Sequence, residues 1–265
     1  MKPKYWHVMS LNKDQVKSIN PKVFHEDWVR KQTPVVLKGL GLSWPCLKKW
    51  NLDFFNTVYG NYKVSVFSTP GKNLISRQGT RIAPESIELS AFIKKLKHKN
   101  APTLLKCDIL QNEDRLRSDV NFSTLVNCSI TQTSYLWISP NGSVTPLHYD
   151  HSETIIFQIC GRKSFLLSPP GGRDKFKAYG WGTEVPHISR LKEDEMLTIN
   201  ANLFYTELSP GDAIYIPSGW WHKVESIGIS ISVNSWLPAQ RLKSRINHLA
   251  FIVLNRLARK VKGMY

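Results

Sequence analysis

Acidic residues are scarce in this chain of 265 residues: Asp and Glu number 20 against 36 Lys and Arg, a formal net charge of +16. Such an excess favours acidic partners such as nucleic acid, acidic peptides or anionic lipid, and it serves equally well just to keep a protein dispersed. Cysteine is scarce too. Cys46, Cys107, Cys128 and Cys160 are far apart and form no CxxC pair, which argues against a zinc site or a disulfide framework and for a reducing compartment. No apolar run approaches the roughly 18 residues expected of a membrane-spanning helix. The opening MKPKYWHVMSLNKDQ has no apolar stretch of the kind a secretory leader carries. A cytoplasmic location is the expectation, with the nucleus open to a eukaryotic protein. Internal repeats and low-complexity tracts are lacking as well.

What is present is a globular mixture, 42% hydrophobic and 21% charged, which excludes extended disorder, collagen and coiled-coil rods. At about 150 residues per domain the length fits one large domain or two small ones. The first half alternates helix-like and strand-like pieces. Val23 to Lys31 reads as a short helix ended by Gln32-Thr33-Pro34, and Pro34 to Gly39 as a strand. Asp53 to Tyr59 reads as a helix stopped by Gly60, and Lys63 to Phe67 as an alternating strand. Glu85 to Lys97 is expected to be helical and Thr103 to Leu110 a strand. Residues 111 to 130 read as a covering loop. From Ser134 onward short strand-like runs follow one another between Gly and Pro: SYLWIS, ETIIFQIC, KSFLLS, AIYIP, WHKVES and ISISVNSW. That grammar argues an antiparallel sandwich or barrel, interrupted by a long insertion at 170 to 208.

The end of the chain differs again. Gln240 to Lys262 carries Leu242, Ile246, Leu249, Val253 and Leu257 at helical spacing, and no acidic residue follows Glu225. A helix packed on its own sheet, a dimerisation helix and a basic surface for membrane or nucleic acid all fit this pattern.

The chemistry lies in Val144-Thr145-Pro146-Leu147-His148-Tyr149-Asp150. Residues two apart on a strand share a face, so the His148 imidazole and the Asp150 carboxylate should project together. His222 follows far downstream in IPSGWWHKVES, beside a strand of the same expected sheet. Two imidazoles and one carboxylate on one face of a metal, with positions left open, suit Fe(II). HxD is a short pattern, and a histidine that simply bonds within a core is the competing reading. His151 should point to the opposite strand face from Asp150. His187 reads as a loop residue of the insertion.

SVTPLHYD, FQICGRKSFLLSPP, LSPGDAIYIPSGWWHKVES and ISISVNSW, in that order, closely resemble the JmjC-type, cupin-like hydroxylases. The resemblance is nearest to the asparaginyl hydroxylase that inhibits hypoxia-inducible factor. It is strong over Ser134 to Trp236 and extends more weakly upstream through PVVLKG, WP and KW. It implies a mainly β fold with flanking helices, the double-stranded β-helix or jelly roll, with residues 1–239 as catalytic domain and 240–265 as a basic amphipathic helix. It implies an Fe(II)- and 2-oxoglutarate-dependent dioxygenase using O₂, with His148, Asp150 and His222 matching the iron ligands. Lys163 and Thr145 match residues that hold the far carboxylate of 2-oxoglutarate, Asn234 an asparagine near cosubstrate and iron, and Trp236 an aromatic at the substrate entrance. Thr154 stands where relatives often carry asparagine and Leu104 where many carry tyrosine, so cosubstrate anchoring is expected to be weakened or rerouted through a hydroxyl such as that of Tyr135. The resemblance implies hydroxylation of a protein or peptide. An RNA hydroxylase resembling the wybutosine tRNA enzyme is the alternative, motivated by the charge. A non-catalytic binding protein with a vestigial metal site is a third reading.

Overall fold

The computed structural model describes residues 5–67, 79, 83–96, 98, 101, 103–104, 107–123, 125–126, 134–237 and 242–261, with backbone only for 67, 103–104, 193–194, 197, 242–248, 259 and 261. Twelve strands are formed among them: β1 (Trp6–His7), β2 (Met9–Leu11), β3 (Val35–Leu37), β4 (Lys63–Phe67), β5 (Glu85–Glu88), β6 (Thr103–Leu104), β7 (Ser134–Ser139), β8 (Val144–Tyr149), β9 (Glu153–Ser168), β10 (Phe204–Leu208), β11 (Ala213–Ile216) and β12 (Trp221–Leu237). β4, β5 and β6 make a small separate sheet, and the other nine form one curved, mixed sheet. The curved sheet is a nearly closed jelly roll of the double-stranded β-helix type.

Its spine is the antiparallel pair β9 and β12, which run together from Glu153–Leu237 at one end to Ser168–Trp221 at the other. The first half of β9 also pairs with β11 and its second half with β10. The first half of β12 also pairs with β8 and its second half with β7. Each long strand therefore belongs to both layers of the roll. ETIIFQIC and KSFLLS, read from sequence as two strands, are one, and so are WHKVES and ISISVNSW. The turn signals between them, Gly161 (φ +67°) and Gly228 (φ +78°), mark bends rather than ends. At Gly161 the neighbouring strand comes so close that a Cβ would stand 2.2 Å from the Ile229 carbonyl oxygen. The register slips at this bend, and the inward-facing residues of β9 change from even to odd numbers.

Period-2 alternation then separates two cores. Ile155, Phe157 and Ile159 face outward onto a large cluster with Val35, Leu37 and Tyr215, covered by Phe24, Trp28 and Phe55 from the helices of the first half and by Trp44 just before the helix Cys46–Lys49. Ile156, Phe165, Leu167, Ile214, Ile216 and Val224 face inward and fill one end of the roll. The rest of the interior is polar.

Several sequence expectations need correction. Glu85–Glu88 is not helical: it is an edge strand paired with Lys63–Val66, with Lys63 bonded to Glu88 at 3.2 Å, and the helix is only Leu89–Lys95. Of the strand expected from Thr103 to Leu110, Thr103–Leu104 is strand and Cys107 bridges to Leu136, while Ile109–Asn112 is a helical turn. The expected covering loop holds a second short helix, Asp114–Ser118, and buries Leu116, Val120, Phe122 and Leu125. Buried Asp119 anchors it, accepting from Trp50 Nε1 at 3.0 Å and Lys49 Nζ at 2.7 Å. The insertion expected to end at 208 gives way to β10 at Phe204, whose other edge takes up β1 in parallel. Cys46, Cys107 and Cys160 are free thiols, and Cys128 lies outside the described residues. No helix among the described residues is long and apolar enough to cross a membrane.

Phe157 joins the outer core to its helical cover. It is fully buried, its ring centroid is 4.4 Å from that of Trp44, and Phe157→Ala should cost about 3–5 kcal/mol in equilibrium chemical denaturation, against an unchanged control such as Lys17→Ala on the exposed first helix.

Candidate metal centre

His148 and Asp150 lie at the end of β8, and His222 stands directly across the ladder from His148 at the start of β12. One potential ligand atom from each falls within 4.8 Å of the others. The two imidazole centroids are 4.1 Å apart, and His222 Nε2 is 3.9 Å from Asp150 Oδ2. Both rings are oriented the same way. His148 Nδ1 donates to the Pro146 carbonyl at 2.8 Å and His222 Nδ1 to the Trp220 carbonyl at 3.0 Å. A carbonyl can only accept, so the proton of each ring sits on Nδ1 and each Nε2 presents a lone pair. This is the tautomer a metal needs, set by a bond to the backbone two residues back.

A β-bulge shapes this strand. Between the pairs His222–His148 and Val224–Thr145, β12 spends one residue and β8 spends two. Thr145 and His148, three apart in sequence, therefore share the inward face, while Leu147 packs outward with Phe176 and Trp221.

Burial alone raises the Asp150 carboxyl, but the imidazoles of His148 and His222 and the Trp236 indole more than offset it, and the group is held below the usual carboxylate range. His222 is pushed down to about 4 by burial and by its neighbour His148, against the pull of Asp150. It stays neutral at ordinary pH, as a ligand must. Trp236 donates to Asp150 Oδ2 at 2.9 Å and packs edge-on against Tyr135, centroids 5.1 Å apart.

Deeper in the roll, Lys163 is buried and donates to Ser232 Oγ at 2.6 Å. No carboxylate pairs with it among the described residues, and burial pushes its ammonium down to about 8. Thr154, directly across the ladder from Trp236, is buried with its hydroxyl unpartnered, and the Gln158 carbonyl oxygen is likewise buried without a partner. Asn234 accepts from Trp137 Nε1 at 2.5 Å, which commits its carbonyl and turns its NH₂ the other way. A buried ammonium with only a hydroxyl for company, next to unsatisfied polar atoms, is a cradle for an anion.

The residues singled out from sequence thus divide clearly. His148, Asp150 and His222 come together, with Trp236 on the carboxylate. Lys163, Thr154 and Asn234 share the interior, and Tyr135 reaches it through Trp236. The side chain of Leu104 lies outside the described residues. His151 faces away from the three, its ring centroid 3.8 Å from that of Phe251 in the C-terminal helix, Leu242–Val261. His187 is more than a loop residue: its backbone carbonyl accepts from Tyr149 N at 3.1 Å, and its imidazole is among the groups that lower the Asp150 carboxyl. Ser232 and Trp137 went unnoticed in the sequence. Ser232 was accessible by parity, two residues before Asn234 on the same strand face. On the far side of β8 a second cavity of about 460 Å³ is ringed by Tyr149, His151, Arg173, Trp181, Trp221 and Phe251.

A family of cupin-like domains matches residues 21–241. The lysine-specific demethylase JMJ30 of Arabidopsis thaliana is 29% identical over 80% of this chain and 52% of its own length. Lysine-specific demethylase 8 of Xenopus tropicalis is 28% identical over 80% of this chain and 50% of its own. The human bifunctional peptidase and (3S)-lysyl hydroxylase JMJD7 is 25% identical over 82% of this chain and 80% of its own. The chain spans about half the length of the first two.

The depressed ammonium gives the anion cradle a pH limit. Below pH 8 Lys163 is charged and binds; above it the proton is lost and so is the attraction. The affinity for a dicarboxylate should be flat below pH 8 and fall above it, towards about tenfold per pH unit, and Lys163→Met should bind weakly with no such break. Calorimetric titration from pH 6.5 to 9.5 checks this.

Proposed function

The chain belongs to the cupin-like domain family, and from that premise we propose that it is an Fe(II)- and 2-oxoglutarate-dependent oxygenase that hydroxylates a C–H bond of a protein or peptide side chain. The observation that carries the reading is the pairing, inside one roll, of a two-histidine, one-carboxylate set with a buried lysine that has no acidic partner among the described residues. When bound, the iron and 2-oxoglutarate supply, with O₂, the oxidising power to hydroxylate C–H, releasing succinate and CO₂. The residues fit both groups. His148 and His222 would hold the metal through Nε2 and Asp150 through its carboxylate. Lys163 gives the distal carboxylate a charge-assisted bond, with the Thr145 and Thr154 hydroxyls available beside it. Thr154 takes the inward position where relatives carry asparagine and still offers a donor, so the anchoring is altered rather than deleted. Asn234 turns its NH₂ into the same space. The apolar end of the roll keeps out water.

The substrate reading is protein. The similar proteins named above are lysine-directed by name, which makes a lysine side chain the first to test, ahead of the asparagine that the sequence resemblance implies. The +16 charge is the observation behind the second reading, an RNA base. The catalytic unit is residues 1–239. The C-terminal helix pairs two copies of the chain: Leu249, Val253 and Leu257 lie along one exposed stripe, each more than half accessible.

Purified protein loaded with Fe(II) should convert 2-oxoglutarate to succinate when O₂ is admitted. His148→Ala should fall to background, and Lys163→Ala should raise the KM for 2-oxoglutarate at least tenfold. Mass spectrometry of lysine- and asparagine-containing peptide libraries and of a tRNA pool then finds the +16 Da product, and a product on tRNA alone sinks the peptide reading. Metal binding without any succinate makes the chain a binding protein instead. For the dimer, light scattering should give twice the chain mass, reverting to one in Val253→Glu.

A further inference from the structure

Trp236, the aromatic that the resemblance puts at the substrate entrance, also touches the ligand set. Its indole N–H is spent on Asp150 Oδ2, at 2.9 Å, inside the ligand set itself. Its ring is fixed from two directions. Tyr135 packs edge-on against it, and β12 holds its backbone opposite Thr154 and next to the last ladder pair with β7, Ser235–Ser134. Asp150, by contrast, sits just past the end of β8, where no ladder bond fixes it. Its backbone carbonyl accepts from Gly219 N at 2.8 Å, which leaves the side-chain rotation to be settled by what the carboxylate meets. The two imidazoles are each locked by a backbone carbonyl. The carboxylate is locked by an indole.

We propose that Trp236 is the positioning residue for the Asp150 carboxylate: by holding Oδ2 it fixes the carboxylate plane, so that a lone pair faces the two Nε2 atoms before metal arrives. The inference rests on the metal-centre reading and assigns to Trp236 a role in metal affinity. An outer-shell partner of this kind is worth about 10–100-fold in metal binding.

The test is calorimetric titration of the full chain with Mn(II), without 2-oxoglutarate or O₂. Trp236→Phe keeps an aromatic ring against Tyr135 and removes the N–H. Its Mn(II) dissociation constant should rise 10–100-fold. Trp50→Phe, which removes an indole donor from the Asp119 carboxylate outside the roll, should stay within about threefold of the unsubstituted chain. If Trp236→Phe fails to fold by thermal melt, 3-benzothienylalanine placed at 236 keeps the indole shape with sulfur in place of N–H and should show the same loss. A Trp236→Phe or benzothienyl protein that binds Mn(II) as tightly as the unsubstituted chain, or tighter, overturns the proposal. So does an equal loss in Trp50→Phe, since the effect would then not run through Asp150. No Mn(II) binding by the unsubstituted chain overturns the metal-centre reading itself, and the two failures are thereby distinct.

Discussion

Everything in this molecule depends on the hydrogen-bonded pair of long bent strands. β9 and β12 each have to serve two layers, so each has to turn a corner without breaking its ladder. The corner is made where Gly161 passes against the Ile229 carbonyl, an approach that leaves no room for any side chain. From that one contact follows the parity of both strands, and from the parity follows which residues look inward. Lys163 lies just beyond the corner on β9, and Ser232, Asn234 and Trp236 lie beyond it on β12. The interior polar groups are brought together by the bend as much as by any side-chain preference.

The interior is divided electrostatically as well. At the mouth a carboxylate is held below its usual range by its neighbours, two imidazoles and an indole; deeper in, an ammonium is held with only a hydroxyl beside it. The two opposite charges are kept as separate sites, not joined in an ion pair. Buried groups left in that condition are costly to stability. A site that is to bind a metal at one end and an anion at the other carries such a cost until both are bound, and the large outer core, to which β9 contributes Phe157, is what the fold has to set against it.

Much of this was legible from residue order. The alternation from Ser134 onward predicted the β architecture, and the two-residue spacing of His148 and Asp150 predicted their common face. What was not legible shares a physical cause: local signals do not distinguish a turn from a bend within a strand, because Gly at positive φ serves both. Hence four predicted strands were two. Glu85–Glu88 carries charge at both ends and became a strand only because Lys63 stands opposite, a partner that helical spacing cannot see. Thr145 reaches the inward face through a bulge, which strict period-2 counting places on the other side. The buried anchor Asp119 depends on contacts with Trp50 and Lys49 that are remote in sequence.

The shared strands also decide how the molecule opens. Lys163, Asn234 and His222 sit on the two elements with the most extensive ladders, so they belong to the unit whose backbone amides exchange with solvent only on global unfolding. The C-terminal helix is joined to the insertion, Asn255 bonding Gly182 and Thr183 while Phe251 rests on His151, and the insertion is joined in turn to β8, Tyr149 N donating to the His187 carbonyl and Ser189 N to the Leu147 carbonyl. The outer elements are thus tied by backbone hydrogen bonds to the strand that carries His148.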